Sequence, residues 1–237
     1  MKIEGVIPAR FNSSRFPGKV LVPIDGTHMV ARVYEQSTKS SRLDFVTVAT
    51  DDNQVREEME TLGIPVTMTS SDHGSGSERV AEVAQSGDAD VYVNIQGDEP
   101  FIDPNLIDEA LAPFLGDAPP CMSTVASTEL SDEDWTNPHV VKVKISEAGV
   151  AEDFFRQAHG TDRERCYKHL GLYAYDRDTL IRLAQMEPSP RETERSLEQM
   201  RALDNGIPIS VVLTDYNSIS IDTPEDLARI EGAMIVG

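Results

Sequence analysis

Three cations, Arg10, Arg15 and Lys19, stand within ten residues of one another among Ser13, Ser14 and Gly18. The chain around them has 237 residues, 41 Asp+Glu against 21 Lys+Arg, and a formal net charge of -20. Cations concentrated against such a background need a local reason. Guanidinium and ammonium groups make charge-assisted hydrogen bonds to phosphate oxygens, and small residues let backbone N–H groups approach the same oxygens. A polyphosphate is the ligand class that suits this loop. It is not a Walker A sequence, because Val20 follows Gly18-Lys19 and Ser13 stands where the upstream glycine is required; GxGxxG is absent too. A surface turn with incidental arginines is the plain alternative. Against it, the loop leaves the first strand at its carboxyl end, where open α/β sheets bind ligands.

Carboxylates that could serve a metal lie elsewhere. The apolar run 91–95 ends in Gln96-Gly97-Asp98-Glu99-Pro100. Gly97 suits an unusual backbone angle or a close ligand approach. Asp98 beside a triphosphate is a natural Mg²⁺ ligand, since that ion takes one or two carboxylates plus phosphate oxygens. As a lone dipeptide, Gly97-Asp98 would read equally well as a turn. Asp222 follows a strand-like run at 218–221 and opens Asp222-Thr223-Pro224-Glu225. By itself it reads as a helix cap, and a metal role gains force only with Asp98 as partner.

Asp72-His73-Gly74-Ser75-Gly76-Ser77-Glu78-Arg79 joins a strand to a helix, a setting that suits a nucleotide base or an anion. Arg79 falls in the first helical turn, where the dipole disfavours a cation, so a ligand role is reasonable. His73 lacks a metal-spaced partner and reads as a hydrogen-bonding loop residue. In the strand 168–175, His169, Gly171, Tyr173 and Tyr175 share one face by twofold periodicity. His169 and Tyr173 could bind a polar ligand, though an ordinary half-exposed strand looks the same. Glu198 and Gln199 read by default as solvated helix residues.

The elements that must position these residues alternate. Apolar β-branched runs at 3–7, 45–49, 66–69 and 91–95 enclose helical segments at 29–40, 53–62 and 78–85, which predicts α/β architecture with a mostly parallel sheet and helices on both faces. A helix at 105–115 follows Pro104. Beyond Pro119-Pro120 come strands at 121–126, 140–146 and 168–175, helices at 177–186 and 191–204, a strand at 209–213 and a final helix with Asp or Thr as its cap. One α/β body, residues 1–237, with a strand-rich insertion at about 120–175 is expected.

Composition narrows the function class. No run of about 18 apolar residues suggests a membrane span. The chain opens directly on a strand, so no secretory leader is expected. Cys121 and Cys166 have neither zinc spacing nor a disulfide pattern, and a cytoplasmic protein is expected. The acidity argues against nonspecific nucleic-acid binding. With 6 Lys, 15 Arg and abundant carboxylates, the composition reads as adaptation to high salt, where screening weakens self-repulsion.

Seven segments in register resemble the 3-deoxy-manno-octulosonate (Kdo) cytidylyltransferases. They are 7–19 (IPARFNSSRFPGK), 49–52 (ATDD), 72–82 (DHGSGSERVAE), 94–100 (NIQGDEP), 168–175 (KHLGLYAY), 197–201 (LEQMR) and 222–227 (DTPEDL). The resemblance implies a three-layer nucleotidyltransferase fold of Rossmann-like type. It also implies Mg²⁺-dependent transfer of CMP from CTP to a 2-keto-3-deoxy sugar acid, a step of nucleotide-sugar biosynthesis for lipopolysaccharide or another cell-surface glycan. Carried over by position, Arg10 and Lys19 hold the triphosphate, and Pro8, Ala9 and Ser13 belong to the same CTP-binding loop. Ser75, Gly76, Arg79 and Gln96 lie around the cytidine. Asp98 and Asp222 bind Mg²⁺, while Arg156, His169, Tyr173, Glu198 and Gln199 contact the sugar acid. A homodimer is implied, with the strand-rich insertion in its contact.

One departure bears on the substrate. The family commonly has a proline-containing Phe-Ser-Arg-x-Pro-Ile-Pro segment before the KHxGxYAY strand, where this chain has Asp153-Phe154-Phe155-Arg156-Gln157-Ala158-His159. Kdo is the expected acceptor, with a neuraminate, pseudaminate or amino-Kdo type acid as the alternative. A noncatalytic nucleotide-binding module is the more distant reading.

Overall fold

The computed structural model describes residues 1–12, 16–158 and 160–236, without the side chains of 231 and 233–236. The chain divides into two compact units, 1–105 with 218–237, and 106–217.

In the first unit, β1 (Ile3–Pro8) leads through a single 3₁₀ turn at Lys19–Leu21 to the short pair β2 (Pro23–Ile24) and β3 (Thr27–His28). Then come α1 (Met29–Ser37), β4 (Phe45–Thr50), α2 (Asn53–Thr61), β5 (Val66–Met68), α3 (Gly76–Ser86) and β6 (Val91–Asn94). β1 pairs in parallel with both β4 and β6, and β4 pairs in parallel with β5. The chain therefore moves outward from β1 through β4 to β5, then returns across to β6 on the other side of β1. That reversal is a topological switch point, and the crevice at the carboxyl ends of β1 and β6 is where such sheets take ligands. Local chemistry supports each turn of the path. Asp52 caps α2 by accepting from the amides of Gln54 and Val55 at 2.8 and 3.2 Å, and Ser75 caps α3 through the Glu78 amide at 3.2 Å.

The second unit begins within α4 (Pro104–Leu111), which continues as a 3₁₀ turn at Ala112–Leu115. It contains β7 (Met122–Ser127), α5 (Asp132–Thr136), β8 (Lys142–Ile145), β9 (Ala151–Phe155), β10 (Cys166–Asp176), α6 (Arg177–Ala184), α7 (Pro190–Arg195), α8 (Met200–Asp204) and β11 (Ser210–Thr214). β11 runs parallel to β7, whereas β7–β10, β10–β8 and β8–β9 are antiparallel. The first unit closes with α9 (Pro224–Val236).

The expected α/β class with a mostly parallel sheet is what the chain adopts. Three local expectations need correction. Between the strands expected at 140–146 and 168–175 lies a further one, β9, whose Phe154 and Phe155 are buried despite flanking charges. The helix expected at 191–204 is two, broken where Ser196 turns left-handed at φ 53°. Residues 218–221 are not a strand; instead Ile221 is fully buried with Ile24 and Met29, and its amide donates to the Asp98 carbonyl at 2.9 Å.

Candidate active site

The 9–19 loop is tied down at both ends. The Ala9 amide donates to Ala49 O at 2.8 Å, and the Gly18 amide donates to Phe11 O at 2.9 Å. Lys19 enters the 3₁₀ turn with its side chain largely buried, and its Nζ bonds Asp98 Oδ2 at 2.9 Å and Asp222 Oδ1 at 3.1 Å. One ammonium thus gathers carboxylates 79 and 203 residues away in sequence. Burial opposes the Lys19 charge, but Asp98 and then Asp222 outweigh it and raise the pKa above its ordinary value. The two carboxylates stand no farther apart than those two bonds laid end to end.

Asp222 is not the cap of α9. Thr223 takes that role, its Oγ1 accepting the Asp226 amide at 3.2 Å while Asp226 Oδ2 accepts the Thr223 amide at 3.1 Å. Asp222 is held instead by its neighbour. Burying Ile221 contributes about 1.5–3 kcal/mol and its bond to Asp98 about 1 kcal/mol more. Gly97 also differs from expectation. Its backbone is not left-handed, but a Cβ there would lie 2.9 Å from the Pro8 carbonyl oxygen. Glycine at 97 therefore lets the β6 turn pack on the end of β1, bringing Asp98 to Lys19. Next to it, Glu99 is buried, and burial, then the Asp98 charge, push its carboxyl up to about 8.

Among the described residues no group of three or more His, Cys, Asp or Glu forms a cation cage. The donor set of Asp98 and Asp222 nonetheless fits a hard divalent ion, which needs only one or two carboxylates when phosphate oxygens and water complete its shell. Lys19 demonstrates that this pair holds positive charge.

The second cationic feature is a pair of arginines. Arg79 is fully buried, donating to Thr69 Oγ1 and to the Ser70 carbonyl at 3.4 Å, with Asp51 Oδ1 3.2 Å from its Nη2. Burial lowers its pKa, Asp51 opposes that, and the neighbouring Arg10 charge lowers it further. Among the described residues, Arg10 Nη2 and Arg79 Nε find no hydrogen-bond acceptor. Buried donors without acceptors cost about 1–3 kcal/mol each, so the pair is poised for an acceptor-rich ligand. Ser75 and Gly76 sit at the start of α3, and half-buried Gln96 follows β6. Pro8 ends β1 with Ala9 after it, whereas Ser13 and Arg15 lie outside the described residues. His73 bonds Glu82, as a loop residue should.

In the second unit, twofold periodicity alone would leave His169 and Tyr173 about 13 Å apart. Their ring centroids are 5.2 Å apart. The pairing of β10 with β7 slips between these residues, and Gly171 stands at φ 70° within the slip. A side chain rarely tolerates that conformation, so the glycine makes the bulge that folds the two rings together. Phe154 packs on His169 at 5.1 Å. Burial lowers the His169 pKa to about 3. Tyr173 Oη is buried without a partner among the described residues, and burial, Tyr175 and Glu198 hold the phenol well above 10.

Glu198 and Gln199 lie on the turn between α7 and α8, the first exposed and the second buried. Arg201 sets that turn, bonding both Glu192 oxygens at 2.8 and 2.6 Å, while Ser189 and Glu192 form a capping box. Arg156 follows β9 and donates to the His139 carbonyl at 3.3 Å. Fully buried Lys142 gives all three protons to carbonyls of Asn137, Val140 and Arg156, at 2.7, 2.9 and 2.8 Å. Sequence reasoning missed Asp51, Thr124, Lys142 and Glu192 as supports. Lys142 and Lys144 occupy one face of a strand, and nothing in KVKI (142–145) marks Lys142 as the buried one.

A cytidylyltransferase family profile matches residues 5–211. Relatives named 3-deoxy-manno-octulosonate cytidylyltransferase include one from Geobacter metallireducens, 46% identical over 97% of this chain and 96% of its own. Another from Trichlorobacter lovleyi is 41% identical over the full length of both chains. A solved CMP:2-keto-3-deoxy-manno-octonic acid synthetase complexed with CTP superposes with a TM-score of 0.93, at 35% identity, covering 100% of this chain and 99% of that one.

Proposed function

The chain belongs to the 3-deoxy-manno-octulosonate cytidylyltransferase family, and from that membership we propose how its residues divide the work. It is a nucleotidyltransferase that moves CMP from CTP to Kdo. The observation that carries the division of labour is Lys19 Nζ joined to both Asp98 and Asp222.

Lys19 and Arg10 neutralise the triphosphate, with Pro8, Ala9 and Ser13 in the same loop. Ser75, Gly76, Arg79 and Gln96 surround the cytidine. Asp98 and Asp222 hold Mg²⁺, which when bound supplies Lewis-acid stabilisation to charge developing on phosphate oxygens. Arg156, His169, Tyr173, Glu198 and Gln199 hold the sugar acid. The anomeric oxygen bonds to the α-phosphorus as the bond to pyrophosphate breaks, and the hydroxyl proton passes to solvent. Positioning and charge neutralisation by these side chains are what the reaction chiefly needs. A homodimer joined partly through the strand-rich region at about 120–175, and a cytoplasmic location, complete the reading. Among the described residues no helix is long and apolar enough to cross a membrane.

Pyrophosphate release with CTP, Mg²⁺ and a panel of sugar acids tests the assignment. Kdo is expected to give the highest kcat/KM. The proline-free segment around Arg156 makes a neuraminate, pseudaminate or amino-Kdo type acid the competing outcome, and a higher kcat/KM with one of them overturns Kdo. CTP binding without turnover of any acid would leave only a noncatalytic module.

A further inference from the structure

The buried Thr124 of β7 touches His169 in a way that decides which ring nitrogen carries the proton. Thr124 Oγ1 lies 2.7 Å from the Leu172 carbonyl and 3.0 Å from His169 Nε2. A carbonyl only accepts, so the single hydroxyl proton must lie toward Leu172. The contact with Nε2 can then be a hydrogen bond only if Nε2–H donates to a lone pair of Oγ1. With the ring neutral in its buried setting, Nδ1 is left as a bare acceptor.

We propose that Thr124 is a positioning residue that locks His169 as the Nε2–H tautomer, so that Nδ1 accepts a hydrogen bond from a sugar hydroxyl and does not serve the carboxylate. The inference rests on the sugar-acid role given to His169 above. Beside it, the phenol of Tyr173 is a buried donor without an acceptor among the described residues. Acceptor and donor, on rings 5.2 Å apart, match the polyhydroxyl part of an acid sugar, where each hydroxyl can both give and take a hydrogen bond. Two carboxylate oxygens offer only acceptors and would face a repelling lone pair at Nδ1. The Gly171 bulge contributes too, because it is what presents the Leu172 carbonyl to Thr124 beside the slipped register.

The test is histidine ¹⁵N NMR on the full-length protein, with His169 assigned by its loss in His169→Asn, and sugar-acid kinetics on Thr124 variants. In the wild type, Nε2 should show a protonated signal and Nδ1 an unprotonated one across pH 5 to 8. Thr124→Val should mix the tautomers and raise the sugar-acid KM about tenfold, the worth of one hydrogen bond, with the CTP KM unchanged. Thr124→Ser should restore both readouts. A protonated Nδ1 in the wild type overturns the proposal without any variant having to fold. So does a sugar-acid KM that stays put while the tautomer shifts. Failure of wild-type turnover on every acid sugar would strike the functional reading and leave the tautomer measurement standing.

Discussion

The two units arrange their candidate ligand groups by opposite physics. In the first, charge meets charge: Lys19 with Asp98 and Asp222, and Arg79 with Asp51. In the second, the candidate ligand groups of β10 are neutral and stacked, Phe154 on His169 and His169 on Tyr173. A triphosphate needs countercharge and is forgiving about its exact placement, whereas a sugar needs donors and acceptors in fixed positions. The cost of each arrangement differs accordingly. The first unit keeps its ion pairs partly exposed at a strand edge. The second buries a phenol beside a half-buried histidine and must satisfy or aim their polar atoms.

The largest break in this comparison is Asp98→Asn. Removing one carboxylate of the pair should lower kcat by about a thousandfold or more, with the thermal midpoint nearly unchanged. Wild-type-like turnover at saturating Mg²⁺ would sink the metal role. Lys19→Ala comes next, with a loss of about a hundredfold in kcat/KM for CTP and a smaller change for the sugar acid. The reverse pattern would move Lys19 out of triphosphate binding.

Gly171→Ala probes the neutral side. Forcing a Cβ into the left-handed region costs about 1–2 kcal/mol, and relaxation of the bulge should part His169 from Tyr173. The sugar-acid KM should rise about tenfold with the CTP KM unmoved. Equal changes in both would show that the bulge does not serve one ligand alone.

The smallest effect per step, and the sharpest contrast, is in pH. His169 has its ordinary value of 6.5 lowered to about 3 by burial. Between those limits the unfolded chain takes a proton that the folded chain refuses, so stability falls as pH drops, by up to about 1.4 kcal/mol per pH unit. Glu99 has its ordinary value of 4.5 raised to about 8, by burial and then Asp98. Between those limits the unfolded chain releases a proton that the folded chain keeps, so stability falls as pH rises. Urea unfolding in EDTA should show His169→Gln flattening the acid side and Glu99→Gln the alkaline side. A variant that alters the opposite limb would refute the assignment of that limb.

How much was legible in the sequence follows the same division. The residues of the first site stand in loops after strands, and each cation or carboxylate keeps its chemistry wherever the loop goes. Arg10, Lys19, Asp98 and Arg79 could therefore be singled out from type and order. Asp222 could not be separated from a helix cap, because Asp and Thr cap equally well and only Ile221, buried with Ile24 and Met29, decides which of the two faces Lys19. In the second unit, KHLGLYAY (168–175) indicated a strand and a shared face. The 5.2 Å contact needed a register slip that depends on the partner strand. Likewise the single helix expected at 191–204 has acceptable helical spacing throughout. The break at Ser196 reflects the buried Arg201–Glu192 pair and the capping box at Ser189, which are tertiary choices.

By itself the sequence determined the alternation of strands and helices, the loop cations and the carboxylates offered to them. Hydrophobic periodicity and side-chain chemistry are local properties, and they survive without knowledge of neighbours. Tertiary structure alone decided that Lys19 sits between Asp98 and Asp222, that Gly97 yields to Pro8, and that Thr124 settles the proton on His169. Each of those depends on atoms brought within a few ångströms from distant parts of the chain, where packing and hydrogen-bond geometry select one arrangement among many that the local sequence permits.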